Sequence, residues 1–365
     1  MDKMRNKIYV IAFAVLFFGL TFFAWFKPAD DFSATERRPL DQFPTVNVQT
    51  IFSGKFMSEF EDYTLDQFPL RDTFRSIKAM IHLYVFGQTD NNDVYIADGY
   101  VSKLDYPLSE QAMNQAVKKF QSIYDTYIKG TDAKVYYSII PDKNVFLAEE
   151  NGYPAYAFSD MQNYLAGKLT NMQYIDISGL LSIEDFYYTD THWKQENIQD
   201  IAIAIGNAMG VSLQAEYEKI TLDMPFYGVY YGQLGLPIAA DQISYLSHAM
   251  FEDCVIINHE NGQKIPMYQM EKAEGRDPYE MFLSGSLAVI TIENPNATTD
   301  KELVIFRDSF GSSLTPLLVE GYAKITILDA RYLNERMIGN FVTFENQDVL
   351  FIHSSSVINN VTAFK

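Results

Sequence analysis

A carboxylate, an imidazole and a hydroxyl stand in two short stretches of this chain. Asp190 and His192 lie in the run Tyr-Thr-Asp-Thr-His-Trp at 188–193, and Ser309 follows an apolar run near the far end. A serine hydroxyl becomes a useful nucleophile when a histidine takes its proton and a carboxylate orients that histidine. Residues i and i+2 of an extended stretch point to the same side, which lets Asp190 approach the ring of His192. The chain therefore holds the three residue types of acyl-transfer chemistry, in the order Asp, His, Ser.

Each of these residues also has a structural interpretation, and the residue types alone leave both open. An Asp-x-His pair is at least as typical of a structural histidine whose hydrogen bonds are satisfied. Ser309 precedes a predicted helix, where it could cap that helix or lie beside backbone N–H groups that stabilise an oxyanion. A metal site is not expected, because the other histidines show no ligand spacing with His192; they are His82, His248, His259 and His353.

Alternating strands and helices must position these side chains. Apolar β-branched runs predict strands at 135–140, 303–306, 325–328 and 349–352, and helical spacing predicts a helix at 312–319, directly after Ser309. Such alternation favours an α/β layered fold with a mostly parallel sheet flanked by helices. Sites in these folds form at the carboxyl ends of the strands. Ser309, Pro-Asp-Lys at 141–143 and Asp-Ala-Arg at 329–331 each follow a strand, so we expect them to converge on one edge.

Residues 210–300 are rich in Tyr, Gly and Pro and show no clear period. We interpret this segment as an insertion that carries loops or a small subdomain. Aromatic, glycine-rich loops can contact sugars, and packed hairpins are the alternative interpretation.

The N-terminus predicts a membrane anchor. Lys3, Arg5 and Lys7 precede an uncharged apolar stretch at 8–26. As a helix, this stretch would be about 28 Å long, roughly the thickness of the hydrocarbon core. The preceding positive charges indicate a cytoplasmic tail at 1–7 and an extracytoplasmic remainder. A retained anchor is favoured over a cleaved signal peptide because no clear small-x-small cleavage site follows. We expect a stalk at 27–60 and the main domain at 61–365.

Composition excludes some function classes. The 365 residues include 28 basic and 47 acidic residues, which gives a formal net charge of −19. Such a chain repels phosphate backbones and has no basic stripe, so nucleic-acid binding is not expected. Cys254 is the one cysteine, which rules out an intrachain disulfide and a cysteine-based zinc site.

Taken together, several motifs resemble the DHHW protein family, which is similar to the SGNH-like O-acetyltransferases that modify alginate and other bacterial exopolysaccharides. The family's name-giving Asp-His-His-Trp reads Asp-Thr-His-Trp here, and the usual SGNH glycine and asparagine blocks are not recognisable. The resemblance covers roughly residues 35–365. The matching stretches are Arg-Arg-Pro-Leu at 37–40, Asp-Gln-Phe-Pro-Leu-Arg-Asp at 66–72, Pro-Asp-Lys at 141–143, Tyr-Thr-Asp-Thr-His-Trp at 188–193, Phe-Arg-Asp-Ser-Phe at 306–310 and Leu-Asp-Ala-Arg-Tyr at 328–332.

This resemblance implies an SGNH-hydrolase-like fold and a role for each site residue. Ser309 would be the nucleophile, His192 the general base and Asp190 the acid that orients the histidine. Arg331 and Lys143 match family positions near the pocket, so substrate or oxyanion roles are expected for them, with surface salt bridges as the alternative. Trp193 and Tyr188 flank the histidine and are further candidates to line the pocket and exclude water.

The expected function is O-acetyl transfer to a cell-surface or secreted polysaccharide through an acyl-enzyme. Acetyl-CoA is not available outside the cell, so a polytopic membrane acyltransferase is the expected acetyl donor. No cofactor is implied. Two alternatives stay open: a carbohydrate acetylesterase with the same triad, and a non-catalytic scaffold or glycan-binding protein of an exopolysaccharide export complex.

Overall fold

The computed structural model describes residues 2–364, with side chains from residue 4 onward. These residues form two compact units. The first comprises the residues up to Asn92 together with Tyr231–Ile238, and the second comprises Asp93–Tyr230 and Ala239–Lys365. The division into a stalk at 27–60 and a domain at 61–365 stays a prediction.

The first unit is mainly helical. Helix α1 contains the stretch Met4–Phe26, which is long and apolar enough to cross a membrane by length and composition. Pro69 separates α3 from α4, as its place inside a helical pattern predicts. A π-helical turn, Ile81–Val85, continues α4. The elements of this unit are α1 (Asp2–Phe26), β1 (Phe32–Ser33), β2 (Arg38–Pro39), α2 (Val48–Phe52), α3 (Lys55–Asp66) and α4 (Arg71–Met80).

Strands dominate the centre of the second unit. They are β3 (Val94–Ala97), β4 (Tyr100–Lys103), β5 (Lys134–Ile140), β6 (Gln173–Tyr174), β7 (Glu218–Phe226), β8 (Asp241–Ser247), β9 (Val255–Asn258), β10 (Gln263–Lys264), β11 (Val289–Glu293), β12 (Glu302–Arg307), β13 (Lys324–Leu328) and β14 (Asp348–Ser354). Within residues 2–364, eight of the strands form one sheet in the order β10-β9-β11-β13-β12-β14-β5-β6. The run from β13 to β6 is parallel, and the β10-β9-β11 end is antiparallel. The predicted α/β class with a mostly parallel sheet is confirmed.

Helices cover both faces of this sheet. Along β12, Leu303 and Ile305 belong to one hydrophobic cluster and Val304 and Phe306 to the other, because successive strand residues point to opposite faces. Helix α8 packs on the first face, and α5 and α7 pack on the second. The helices after α4 are α5 (Glu110–Ile123), α6 (Lys143–Leu147), α7 (Phe158–Lys168), α8 (Gln199–Ala208), α9 (Val229–Leu234), α10 (Met250–Asp253), α11 (Met270–Ala273), α12 (Phe310–Leu314) and α13 (Ser355–Ile358).

Short helical turns complete the chain. One π-helical turn ends α5 at Tyr124–Ile128, and 3-10 turns occur at Ser178–Leu180, Ile183–Asp185, Gln195–Asn197, Pro278–Met281, Thr315–Gly321 and Glu335–Asn340.

The segment at 210–300 divides into two parts. Strands β7 and β8 pair with each other, whereas β9, β10 and β11 extend the main sheet. This segment therefore contributes three strands to the main sheet and one strand pair outside it.

Candidate active site

Ser309 lies at the carboxyl end of the buried central strand β12. The carboxylate of Asp308 fixes the turn: Oδ2 accepts hydrogen bonds from the N–H (2.7 Å) and hydroxyl (2.8 Å) of Ser354. Its Oδ1 accepts the N–H of Phe310 at 3.0 Å. Asp308 is buried, whereas Ser309 is half-buried. The turn therefore holds Ser309 rigidly and leaves it open to a substrate.

A buried arginine supports this turn. Arg307 ends β12, is fully buried, and donates from Nη2 to the carbonyl of Gly285 at 3.0 Å. Its Nη1 lies 3.7 Å from the Asp329 carboxylate. Burial lowers the pKa of Arg307, while Asp329 opposes that shift. Gly311 packs against the Arg307 stem so closely that a side chain would clash there. The guanidinium thus ties the serine turn to a neighbouring loop.

The three predicted triad residues form one hydrogen-bonded row. His192 Nε2 lies 2.7 Å from Ser309 Oγ, and its Nδ1 lies 2.6 Å from Asp190 Oδ1. The backbone N–H of His192 also donates to Asp190 Oδ1, at 3.1 Å. With the proton on Nδ1, the ring donates to Asp190, and Nε2 accepts the Ser309 hydroxyl. Asp190 and His192 are buried, so the row has its open end at the serine.

The second oxygen of Asp190 is held by backbone from the segment at 210–300. The N–H of Val229 donates to Asp190 Oδ2 at 2.8 Å, and the N–H of Gly228 donates to Thr189 Oγ1 at 2.8 Å. A Cβ at Gly228 would clash with the backbone of Asp190 and Thr189. Glycine is thus needed there for steric reasons, since it lets the backbone approach the carboxylate closely.

Two side chains, Asp241 and Lys143, hold the residues just before Asp190 by hydrogen bonds to their backbone. Asp241 accepts hydrogen bonds from the N–H groups of Tyr188 and Thr189, each at 2.7 Å, and from the Thr189 hydroxyl at 2.6 Å. Lys143 Nζ donates to the carbonyls of Tyr187 at 3.0 Å and Tyr188 at 3.3 Å. Burial lowers the pKa of Lys143 to about 8, against the pull of neighbouring carboxylates. The loop geometry therefore depends on two buried ionisable groups.

Tyr279 fixes the face of the imidazole. Its ring stacks on His192 with centroids 3.8 Å apart and planes 8° from parallel. The Tyr279 hydroxyl lies 2.7 Å from Ser313 Oγ, which also accepts the Trp193 indole N–H at 2.8 Å. Burial raises the pKa of Tyr279, so it packs as a neutral phenol.

The remaining predicted candidates lie at different depths. Trp193 and Lys143 are fully buried, and their polar groups bind protein atoms. Tyr188 is 46% exposed and stacks on Tyr100 at 4.4 Å between centroids. Arg331 makes a two-pronged contact with Asp329, Nε to Oδ1 at 2.9 Å and Nη2 to Oδ2 at 2.6 Å. It thus reaches the serine turn only indirectly, through Asp329 and the Arg307 beside it.

Sequence reasoning missed four groups that hold the row: the backbone at Gly228 and Val229, and the side chains of Asp241 and Tyr279. All four come from the segment interpreted as an insertion. The glycine- and tyrosine-rich composition was the signal at Gly228, while Asp241 and Tyr279 carry no local motif. Within residues 2–364, no group of three or more His, Cys, Asp or Glu side chains is placed to hold a metal ion.

No protein-family model matches the sequence, and no curated protein matches it. Solved structures do match. A DHHW family protein from Eubacterium siraeum is 21% identical, with a TM-score of 0.61 over 74% of this chain and 93% of its own. Bacillus cereus PatB1 carrying a sulfonyl adduct is 16% identical, with a TM-score of 0.58 over 74% and 98%. A second PatB1 structure is 18% identical, also at 0.58. This chain therefore shares its fold with a DHHW family protein and with PatB1, which confirms the fold that the sequence resemblance implies.

Proposed function

We propose that this chain is a serine-dependent O-acetyltransferase that acts on a cell-surface or secreted polysaccharide. The observation that carries the proposal is the row Asp190–His192–Ser309, with contacts of 2.6 and 2.7 Å and its open end at the serine. A structural histidine needs no hydroxyl at its second nitrogen, and a helix-capping serine needs no histidine. Their combination favours nucleophilic catalysis over either structural role.

The chemistry follows from the arrangement. His192 Nε2 takes the Ser309 proton as Oγ attacks the acetyl carbonyl carbon, and Asp190 stabilises the imidazolium. The bond to the donor's oxygen or sulfur breaks, and the leaving group takes the proton from His192. In the second half, His192 removes the proton of a sugar hydroxyl, whose oxygen attacks the acetyl-serine. The acetylated sugar leaves and Ser309 regains its proton.

The other predicted residues take supporting roles in this proposal. Lys143 and Trp193 act through the loop and the helix that they bind, so they position the row. Arg331 supports Asp329 and Arg307 beneath the serine. Tyr188, which is 46% exposed, is the candidate among these to contact a sugar ring.

The site would lie outside the cytoplasm. Residues 8–26, within the candidate span Met4–Phe26, would act as a single-pass anchor with residues 1–7 inside. A polytopic membrane acyltransferase would supply the acetyl group. The sequence resemblance to exopolysaccharide acetyltransferases supports this assignment. The alternative of a cleaved signal sequence is tested by determining the first residue of the mature protein.

A sulfonyl fluoride tests the nucleophile directly. PatB1, which shares the fold, has been seen with a sulfonyl adduct. Ser309 Oγ should attack the sulfur of phenylmethylsulfonyl fluoride and expel fluoride, which adds one sulfonyl group to the Ser309 peptide by mass spectrometry. Ser309→Ala should take up no label, and His192→Ala should label much more slowly. Equal labelling of Ser309→Ala would refute the assignment.

Acetyl release from p-nitrophenyl acetate tests the whole row. Ser309→Ala and His192→Ala should lose about 10³-fold or more of the rate above background. Ser312→Ala is a matched control, because Ser312 lies in α12, the helix that follows Ser309, and its side chain makes no hydrogen bond in the row. Equal rates in wild type and the Ser309 variant would favour the scaffold alternative.

Transfer and hydrolysis differ in what attacks the acyl-enzyme. Adding an oligosaccharide acceptor should yield an acetylated sugar at the expense of free acetate if the chain is a transferase. Unchanged acetate release over a panel of neutral, cationic and anionic oligosaccharides would favour the esterase alternative.

A further inference from the structure

The helix that runs from Arg71 through Val85 exposes an apolar side that a soluble protein would normally bury. Six large apolar side chains, from Leu70 just before the helix to Val85, recur at helical spacing on one side and are between 40% and 73% exposed. They are Leu70, Phe74, Ile77, Ile81, Tyr84 and Val85. An amphipathic helix in a soluble domain normally turns such a stripe toward the core. Here it is turned outward, and we name it the apolar stripe.

The other side of the helix carries the fully buried Ala79 and two arginines that bind groups of the same unit. Within the stripe, Phe74 packs edge-on against Phe68 and stays 41% exposed. Arg71 pairs with Glu36, and its Nη2 lies 3.5 Å from Asp66 Oδ1. Arg75 donates to the carbonyl of Gly232 at 2.7 Å and lies 3.2 Å from Glu36. The arginines lower the pKa of Glu36 despite its partial burial. These contacts fix the rotation of the helix about its own axis. The outward direction of the stripe is therefore set by specific contacts on the other side of the helix.

The same unit exposes further apolar side chains. Phe43 packs edge-on against Phe60 and Tyr63 of α3, with centroids 5.9 and 5.4 Å apart. Further large apolar side chains between 43 and 65 are more than half exposed; they are Phe43, Val46, Val48, Ile51, Phe52, Met57 and Leu65. The number of exposed large apolar side chains in this unit exceeds the scattered single hydrophobes of an ordinary surface.

The chain that leaves the candidate membrane span is hydrogen-bonded to Gln67, which ends α3 and lies four residues before Arg71. Asp30, four residues after the end of α1, exchanges two hydrogen bonds with the Gln67 side chain, each 2.8 Å. Leu70 begins the stripe three residues later. Four extended residues reach about 14 Å, and three more about 10 Å. Adding the hydrogen bond and roughly 5 Å for the Gln67 side chain, Leu70 lies within about 32 Å of the end of α1.

We propose that helix 71–85 lies on the membrane surface, with the apolar stripe in the boundary between headgroups and acyl chains. This inference rests on the proposed anchor, because the span brings the stripe to the bilayer. An apolar face of Phe, Leu and Ile beside an arginine-bearing polar face is the composition of interfacial helices. A protein partner would need no such short connection to a span, which is why lipid is the favoured occupant. The first unit then has a second membrane contact besides α1.

Site-directed fluorescence on the full chain in phospholipid nanodiscs tests the proposal. Cys254→Ser removes the native thiol, and single cysteines replace Phe74 or Ile81 in the stripe. Asp72→Cys is the matched control, because Asp72 is exposed on another side of the same helix. An environment-sensitive label at 74 or 81 should emit at shorter wavelength than at 72. It should also lose most of its intensity when doxyl-labelled lipids replace unlabelled ones.

Two results would overturn the lipid contact. If the labels at positions 74 and 81 emit at the same wavelength as the label at position 72, the stripe is exposed to water. A blue shift without quenching by doxyl lipids would show it covered by protein. Retention of the chain in vesicles after a carbonate wash reports the anchor separately, and p-nitrophenyl acetate turnover in the same sample reports the chemistry. Failure of the stripe is thereby distinguished from failure of the anchor or the triad.

Discussion

Gly228→Ala should disable the row without touching any triad side chain. A Cβ at this position would lie about 1 Å inside normal carbon contact with the backbone of Asp190 and with the Thr189 carbonyl. Because backbone atoms cannot rotate away, residues 228–229 and Asp190 must separate by about that distance. The hydrogen bond from Val229 to Asp190 Oδ2 would then stretch from 2.8 Å beyond hydrogen-bond range.

A displacement of about 1 Å in a catalytic group typically costs about 100-fold in rate. We therefore expect kcat for p-nitrophenyl acetate to fall about 100-fold in Gly228→Ala. The overpacking should also lower the free energy of unfolding by about 1–3 kcal/mol, so rates are compared well below the melting temperature. Gly167→Ala is the matched control, since a Cβ on this exposed glycine of α7 meets no atom within 4 Å.

The measured rate tells whether the backbone at 228–229 positions Asp190. A folded Gly228→Ala protein with a rate within about threefold of wild type would refute the claim that this backbone approach positions Asp190. A loss equal to that of Gly167→Ala would do the same, because it would show a general effect of added methyl groups.

Three further predictions concern other buried groups. Tyr279→Phe keeps the ring on His192 and should retain the rate within about threefold, whereas Tyr279→Ala removes the stacking and should lose about tenfold with a shifted pH–rate profile. The folded pKa of Lys143, about 8, lies below its unfolded value of 10.5, so the unfolded chain binds more protons between these pH values. The stability of wild type relative to Lys143→Met, from urea unfolding, should therefore rise as the pH increases from 8 to 10.5; a constant difference would refute the shift. Burial lowers the pKa of His353 from 6.5 to about 4, so wild type should lose up to about 3 kcal/mol relative to His353→Leu as the pH falls from 6.5 to 4. Parallel acid unfolding curves for the two proteins would contradict this.

The fold and the meeting of distant residues could be predicted because both depend on regular patterns. An apolar β-branched run predicts strand β12. The carboxyl end of a parallel strand is where an α/β fold places a site. The turn residues Asp98 and Gly99 predict the β3–β4 hairpin, and the structure has positive φ at both. Local spacing was enough for these features.

The supports of the row Asp190–His192–Ser309 could not be predicted, because two of them are backbone N–H groups. Every residue at 228 and 229 offers an N–H, so no residue type marks the donors that hold Thr189 and Asp190. Asp241 binds loop residues about 50 positions earlier in the chain, and its partners are set by the pairing of β7 with β8. Such contacts follow from the tertiary arrangement alone. The apolar stripe is a second example of this limit of sequence-based prediction. Helical periodicity identifies an apolar face of a helix but not what that face contacts.

The distribution of supports indicates that Asp190 is held less firmly than Ser309. Ser309 is fixed by contacts from the buried sheet, through Asp308 and Arg307. Asp190 depends instead on the loop at 187–189, on Asp241 at the start of β8, and on backbone at 228–229. Strands β7 and β8 pair with each other alone, outside the main sheet. Local opening of that hairpin would free the Asp190 carboxylate while the turn at Ser309 stays folded. His192 would then lose its hydrogen bond to Asp190 before Ser309 moved.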